Sequence, residues 1–157
     1  SHDSGQHGFS LQAKRRLIKE LEKYAQVFIT SESPLPEEFE QYKISLPPEK
    51  LHDLLYYASL CISEGGTTAT EAAILGTPSI HISTTAQYCG NFKDLHQNYS
   101  LIYTYSAQDE AITKAIELLS GKDSEGEWQK KREKMLSDKI DVTQFMVDFI
   151  ENYPKSF

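Results

Sequence analysis

The segment Ser63 to Glu71, SEGGTTATE, brings together residue types that handle a phosphate. Gly65 and Gly66 let a backbone turn sharply and approach a ligand with no Cβ in the way. If a helix starts here, the N–H groups of Gly66, Thr67 and Thr68 lack intrahelical acceptors, and the helix dipole adds positive potential at the same point. The hydroxyls of Ser63, Thr67 and Thr68 would add donors to phosphate oxygens. Glu71 lies one helical turn further on. A carboxylate is repelled by a diphosphate, so its role would be to accept hydrogen bonds from ribose 2′- and 3′-hydroxyls, as an acid does in dinucleotide folds. Glu64 runs against this chemistry, because an acid next to phosphate is unfavourable unless it points away or a metal intervenes. The spacing is neither GxGxxG nor a Walker loop. By themselves the same residues serve equally well as a plain connection between a strand and a helix.

Such a turn needs a strand before it and a helix after it. Leu60-Cys61-Ile62 is apolar on consecutive positions, as expected of a central parallel strand covered on both faces. Thr67 to Leu75 reads as a helix, ended by Gly76 with Pro78 just beyond, and Ser79 to Ile82 resumes as a strand. Upstream, Leu11, Leu17, Ile18, Leu21 and Tyr24 predict an amphipathic helix over Ser10 to Ala25. Strands are expected at Val27 to Thr30 and Tyr42 to Ser45, then a helix over Pro48 to Ala58 that buries Leu51, Leu54 and Leu55. Downstream come a polar loop from Thr84 to Asn98, a strand at Leu101 to Tyr103, and a helix to Leu119 opened by a capping box at Ser106 to Asp109. The remainder is helical, interrupted near Gly121 to Gly126 and near Asp138 to Asp141. Its last helix carries Val142, Phe145, Met146, Phe149 and Ile150 on one face, which is expected to be core. Short strands alternating with longer helices select an α/β fold, a Rossmann-like three-layer sandwich with a parallel sheet.

A length of 157 residues suits one domain, and 39% hydrophobic residues suffice for its core. The net charge of -7 offers no general basic field, which argues against a nucleic-acid partner. Lys14-Arg15-Arg16 and Lys130 to Lys134 read as solvated helix faces; the second could approach an anionic membrane, though nothing else in the sequence supports it. The apolar stretches are far short of the roughly 20 residues that cross a bilayer, and no signal-peptide pattern opens the chain. Cys61 and Cys89 form no CxxC or metal-ligand spacing, so a reducing, cytoplasmic setting is the expectation. Five histidines without ligand spacing make no metal site. His52 beside Asp53 reads as a surface histidine, and His81, inside a strand, as a satisfied core or cleft-lip residue. No GxSxG elbow is present. Ser1 to Phe9 is loop-like and runs straight into a helix, as if it followed a strand lying upstream in a larger protein.

The run ISEGGTTATEAAILGTPSI, preceded by LPPEKLHDLLYYASL, resembles the donor-binding motif of two-domain GT-B type glycosyltransferases and of the sugar-nucleotide 2-epimerases that share their fold. The chain also resembles, over about Ser1 to Ile82, an uncharacterised archaeal and bacterial family known as a domain of unknown function. The GT-B likeness implies the C-terminal, nucleotide-sugar-binding half of a two-domain protein, its partners being a nucleotide-diphosphate sugar and an N-terminal domain of the same protein, with no further cofactor. It implies Gly65 and Gly66 facing the diphosphate, Glu71 on ribose, Ile44 and Ser45 bordering the base, and Gln87 and Asn91 in the region that touches the donor sugar. For those last two the bland reading is solvated loop. Gly5, His7 and Gly8 would lie in a cleft-facing loop after the upstream strand, or in a flexible terminus. Catalytic residues are not identified. The leading chemistry is glycosyl transfer by the full-length protein; an epimerase and a binding module without chemistry are the alternatives.

Overall fold

The structure, a computed structural model, describes residues 8–84, 90–121 and 125–155. Gly5, His7, Gln87 and Cys89 lie outside them. The chain opens with α1 (Leu11–Leu21), where the Ser10 hydroxyl caps the first turn by accepting the Ala13 N–H at 3.2 Å. Two 3-10 segments, Glu37–Tyr42 and Pro48–Lys50, precede α2 (Leu51–Tyr57). Then come β1 (Cys61–Ser63), α3 (Gly66–Leu75) and β2 (Ser79–Ile82), the expected βαβ unit. The rest follows as α4 (Gly90–Gln97), β3 (Ile102–Tyr105), α5 (Gln108–Ser120), α6 (Glu125–Asp138) and α7 (Val142–Glu151).

The three strands form one parallel sheet in the order β1-β2-β3, with Ser79 opposite both Cys61 and Ile102. The middle strand is therefore β2, buried at all four positions, and not the segment at 60–62. β1 lies at an edge of this sheet, with Cys61 buried and the next two residues half-buried. Alternation along β2 divides the core between two faces. Ile80 and Ile82 join Leu17 and Leu21 of α1 and Ala111, Ile112 and Ala115 of α5. On the opposite face, Ala69 and Ala73 of α3, Phe92 and Leu95 of α4, and Trp128 and Met135 of α6 close over Leu101 and Ile102. Helices on both faces of a parallel sheet make the three-layer α/β sandwich. Ser79 Oγ donates to the Ala69 carbonyl within α3 at 2.8 Å, and Gly76 ends the helix in the left-handed region at φ 90°.

Several local expectations give way to tertiary context. The strands expected at 27–30 and 42–45 reduce to one parallel bridge, Ile29 to Lys43, because Glu37–Tyr42 winds into a 3-10 turn and Pro47-Pro48 follows at once. The loop expected through residue 98 contains α4, whose Phe92 and Leu95 are buried at helical spacing. Helix α5 takes Ala107 as its N-cap with no side-chain capping bond, so Ser106 forms no capping box. The last helix begins as expected, with Asp141 accepting the Gln144 N–H, but none of its residues is buried. Among the described residues no helix is long and apolar enough to cross a membrane.

Candidate functional site

Helix α3 starts at the C-terminal end of β1, where ligands of open parallel sheets bind. Gly65 is its N-cap and contributes no side-chain bond; the first internal bond runs from Ala69 N–H to Gly65 at 3.2 Å. The N–H groups of Gly66, Thr67 and Thr68 come ahead of it and point out of the helix start. The Thr67 and Thr68 hydroxyls bond to no described residue. Ser63 differs. Its hydroxyl donates to the Gly65 carbonyl at 2.9 Å and accepts the Gly65 N–H at 3.0 Å, so it shapes the turn before it can serve a ligand.

The glycines have a reason that the sequence alone does not supply. Gly65 sits at φ −87°, open to any residue, and Gly66 is also not in the left-handed region. A side chain at Gly66 would instead place its Cβ 2.9 Å from Phe92 Cζ. Phe92, from α4, lies beneath the start of α3, so any side chain in place of the second glycine must displace that ring whether or not a ligand approaches.

Glu64 is turned away from the helix start. Its carboxylate accepts the Phe9 N–H at 2.7 Å and pairs with Lys14 Nζ at 3.1 Å. The repulsion expected between this acid and a phosphate is thereby offset by a lysine of α1. Glu71 projects from the next turn of α3 toward α2 and lies 3.5 Å from His52 Nε2. It remains 35% exposed and His52 65%, so the pair is open to solvent and contributes little to stability. The sequence reading set His52 aside with its neighbour Asp53, which pairs with Lys50 instead; the structure brings His52 to Glu71.

The other candidates are less close to the turn. Asn91 donates to Thr70 Oγ1 at 3.3 Å, which ties the start of α4 to the first turns of α3. Ile44 is half-buried and its N–H bonds to the Ile29 carbonyl at 3.1 Å, while Ser45 is exposed on the run into the Pro48 turn. Burial pushes the Cys61 thiol up to about 11, which removes it as a nucleophile at neutral pH. Among the described residues no group of three or more His, Cys, Asp or Glu is placed to hold a metal ion. A concavity of about 250 Å³ lies elsewhere, between α1 and the 3-10 segment at 37–42. Its charged Arg15 and Glu38 are already paired with each other at 2.7 Å, and its lining includes no residue of the turn.

His81 is the residue whose place the sequence left open. It is 3% exposed, its Nδ1 lies 3.1 Å from the Ser63 carbonyl, and its ring is tilted on Phe92 with centroids 4.7 Å apart. Loss of hydration holds the imidazole below its ordinary pKa, a shift only partly opposed by the Ser63 bond. A polar residue in a four-residue strand otherwise built for burial was the available signal, and the Phe92, Leu95, Tyr99 spacing was the signal for α4. In comparison with known proteins, the profile of a family described as Protein of unknown function (DUF354) matches residues 8–155. No curated protein and no solved structure matches the chain.

Proposed function

The chain belongs to the DUF354 family, and we propose that its turn from Ser63 to Glu71 binds the diphosphate and ribose of a nucleotide-activated sugar. The observation that carries this reading is the uncapped start of α3, where the N–H groups of Gly66, Thr67 and Thr68 have no side-chain cap and the Thr67 and Thr68 hydroxyls have no partner among the described residues. Phosphate oxygens would complete these donors, and charge-assisted bonds of this kind are stronger than neutral ones. Glu71, one turn further and accessible, accepts the ribose hydroxyls. Glu64 does not oppose the anion while Lys14 holds it.

Glycosyl transfer is the proposed chemistry. Its support is the likeness of ISEGGTTATEAAILGTPSI to the GT-B donor motif, which has the same order of Gly, hydroxyl-rich helix start, Glu, Ala-rich helix and Gly-x-Pro. On this reading the acceptor and the catalytic base come from a second domain of the same protein, and this domain binds the donor.

Calorimetric titration of the chain with UDP, GDP, CDP and their sugar conjugates tests the assignment. Saturable binding to at least one series is expected, weakened about tenfold or more by Glu71→Ala, since hydrogen bonds to a charged group are worth about 1.5–3 kcal/mol. Binding to none, or binding untouched by the substitution, contradicts it.

A further inference from the structure

His81 occupies the third position of β2, on the side of the strand that faces α3 and α4. A carbonyl oxygen can only accept, so the contact between Nδ1 and the Ser63 carbonyl requires the proton on Nδ1. In the neutral ring this leaves a lone pair on Nε2. Nε2 has no hydrogen-bond partner among the described residues, although the residue is 3% exposed. Among the described residues no side-chain polar atom is both sealed from solvent and unpartnered, so Nε2 stays within reach of solvent. It lies 3.9 Å from where a Cβ on Gly66 would stand, directly under the start of α3. Phe92 fixes the plane of the ring from the other side.

A lone pair here repels a phosphate oxygen and attracts a hydroxyl. The geometry points to a ligand in two parts: an anion on the N–H groups of Gly66, Thr67 and Thr68, and, attached to it, a group whose hydroxyl donates to His81 Nε2. This rests on the function proposed above for the identity of the anion, and it deepens that reading: the hydroxyl belongs to the sugar. His81 is then a specificity-determining residue, separating the sugar conjugate from the bare nucleoside diphosphate. The Ser63 carbonyl sets its tautomer, so the strand end that precedes the anion site also orients the sugar contact.

Imidazole nitrogen shifts of the 15N-labelled chain test this, recorded free and with UDP, UDP-N-acetylglucosamine, GDP and GDP-mannose. The free protein is expected to show the Nδ1–H tautomer. The Nε2 resonance should move on adding the sugar conjugate that binds and stay in place with its parent diphosphate. In parallel, His81→Phe keeps a ring against Phe92 and should weaken the conjugate about two- to tenfold, the worth of one net hydrogen bond, while leaving the diphosphate unchanged. An Nε2–H tautomer in the free chain overturns the inference. So does a conjugate that shifts the Gly66, Thr67 and Thr68 amides while Nε2 stays still, and in that case the nucleotide-sugar assignment stands. Absence of any binding removes both together. Should the Phe variant fail to fold, the shifts of the native chain still decide.

Discussion

Helices α3 and α7 each span ten residues, and they reverse what their sequences advertise. In α7, Val142, Phe145, Met146, Phe149 and Ile150 mark out an apolar stripe, yet Val142 is 58% exposed and Ile150 69%. In α3 the apolar residues are mostly alanines with no clear stripe, yet Ala69, Ala72 and Ala73 are fully buried. Alanines let α3 approach β1 and β2 on one side and α2 and α6 on others, so its alanine face is covered completely while Thr67 and Ile74 stay exposed. Periodicity reports which face gains from burial; whether anything lies against that face is decided by the rest of the fold. A helix packed closely along one face also holds its N-terminus in one place, which is what a site of fixed N–H donors needs.

The largest expected difference between the two regions is in stability. Ile80→Ala, in the strand that α3 feeds, empties a fully buried position and should cost about 2–5 kcal/mol in urea denaturation. Ile150→Ala in α7 should stay within about 0.5 kcal/mol, as exposed substitutions do. Comparable losses at the two positions would break the contrast and mean that α7 is packed.

The parts of the fold legible in the sequence are those where local chemistry and tertiary packing agree. Gly76 with Pro78 marked the end of α3, and Ser79 to Ile82 emerged as β2 with the expected ends. Val27 to Thr30 failed because β propensity needs a neighbour to pair with, and that neighbour is interrupted by the turn at Glu37–Tyr42. Helix α4 was hidden by the polar Asn91, Lys93 and Asp94, although Phe92 and Leu95 are spaced for burial. At the site, the free donors of the helix start followed from the residues themselves. The partners of Glu64 and Glu71 did not, because Lys14 and His52 come from 50 and 19 positions earlier in the chain. His81 was legible as a buried histidine and not as a neighbour of the turn, since the parallel register that sets Ser63 opposite His81 is a tertiary fact.

A smaller effect sharpens the contrast through pH. The folded His81 has a pKa below the ordinary imidazole value of about 6.5. Between the folded and unfolded values the unfolded chain binds the extra proton, so stability falls as pH falls through that window. Melting temperature should therefore decline from pH 7 toward pH 5, and His81→Phe should flatten that slope relative to its own value at pH 7. Acid losses from Glu38 and Asp94, held low by Arg15 and Lys139, come in a separate window, as pH falls below the ordinary carboxylate range. A slope unchanged by the substitution would assign the decline to groups other than His81. Nothing in α7 should alter it.

The start of α3 is proposed as an anion site for a nucleoside diphosphate. Backbone amide shifts of the 15N-labelled chain, followed while UDP, GDP and CDP are added, address it most directly. Gly66, Thr67 and Thr68 should move together and saturably with at least one of them, while the amides of Val142–Glu151 hold still. Stationary amides at all three positions with every nucleotide, or shifts that appear only along α7, would contradict it.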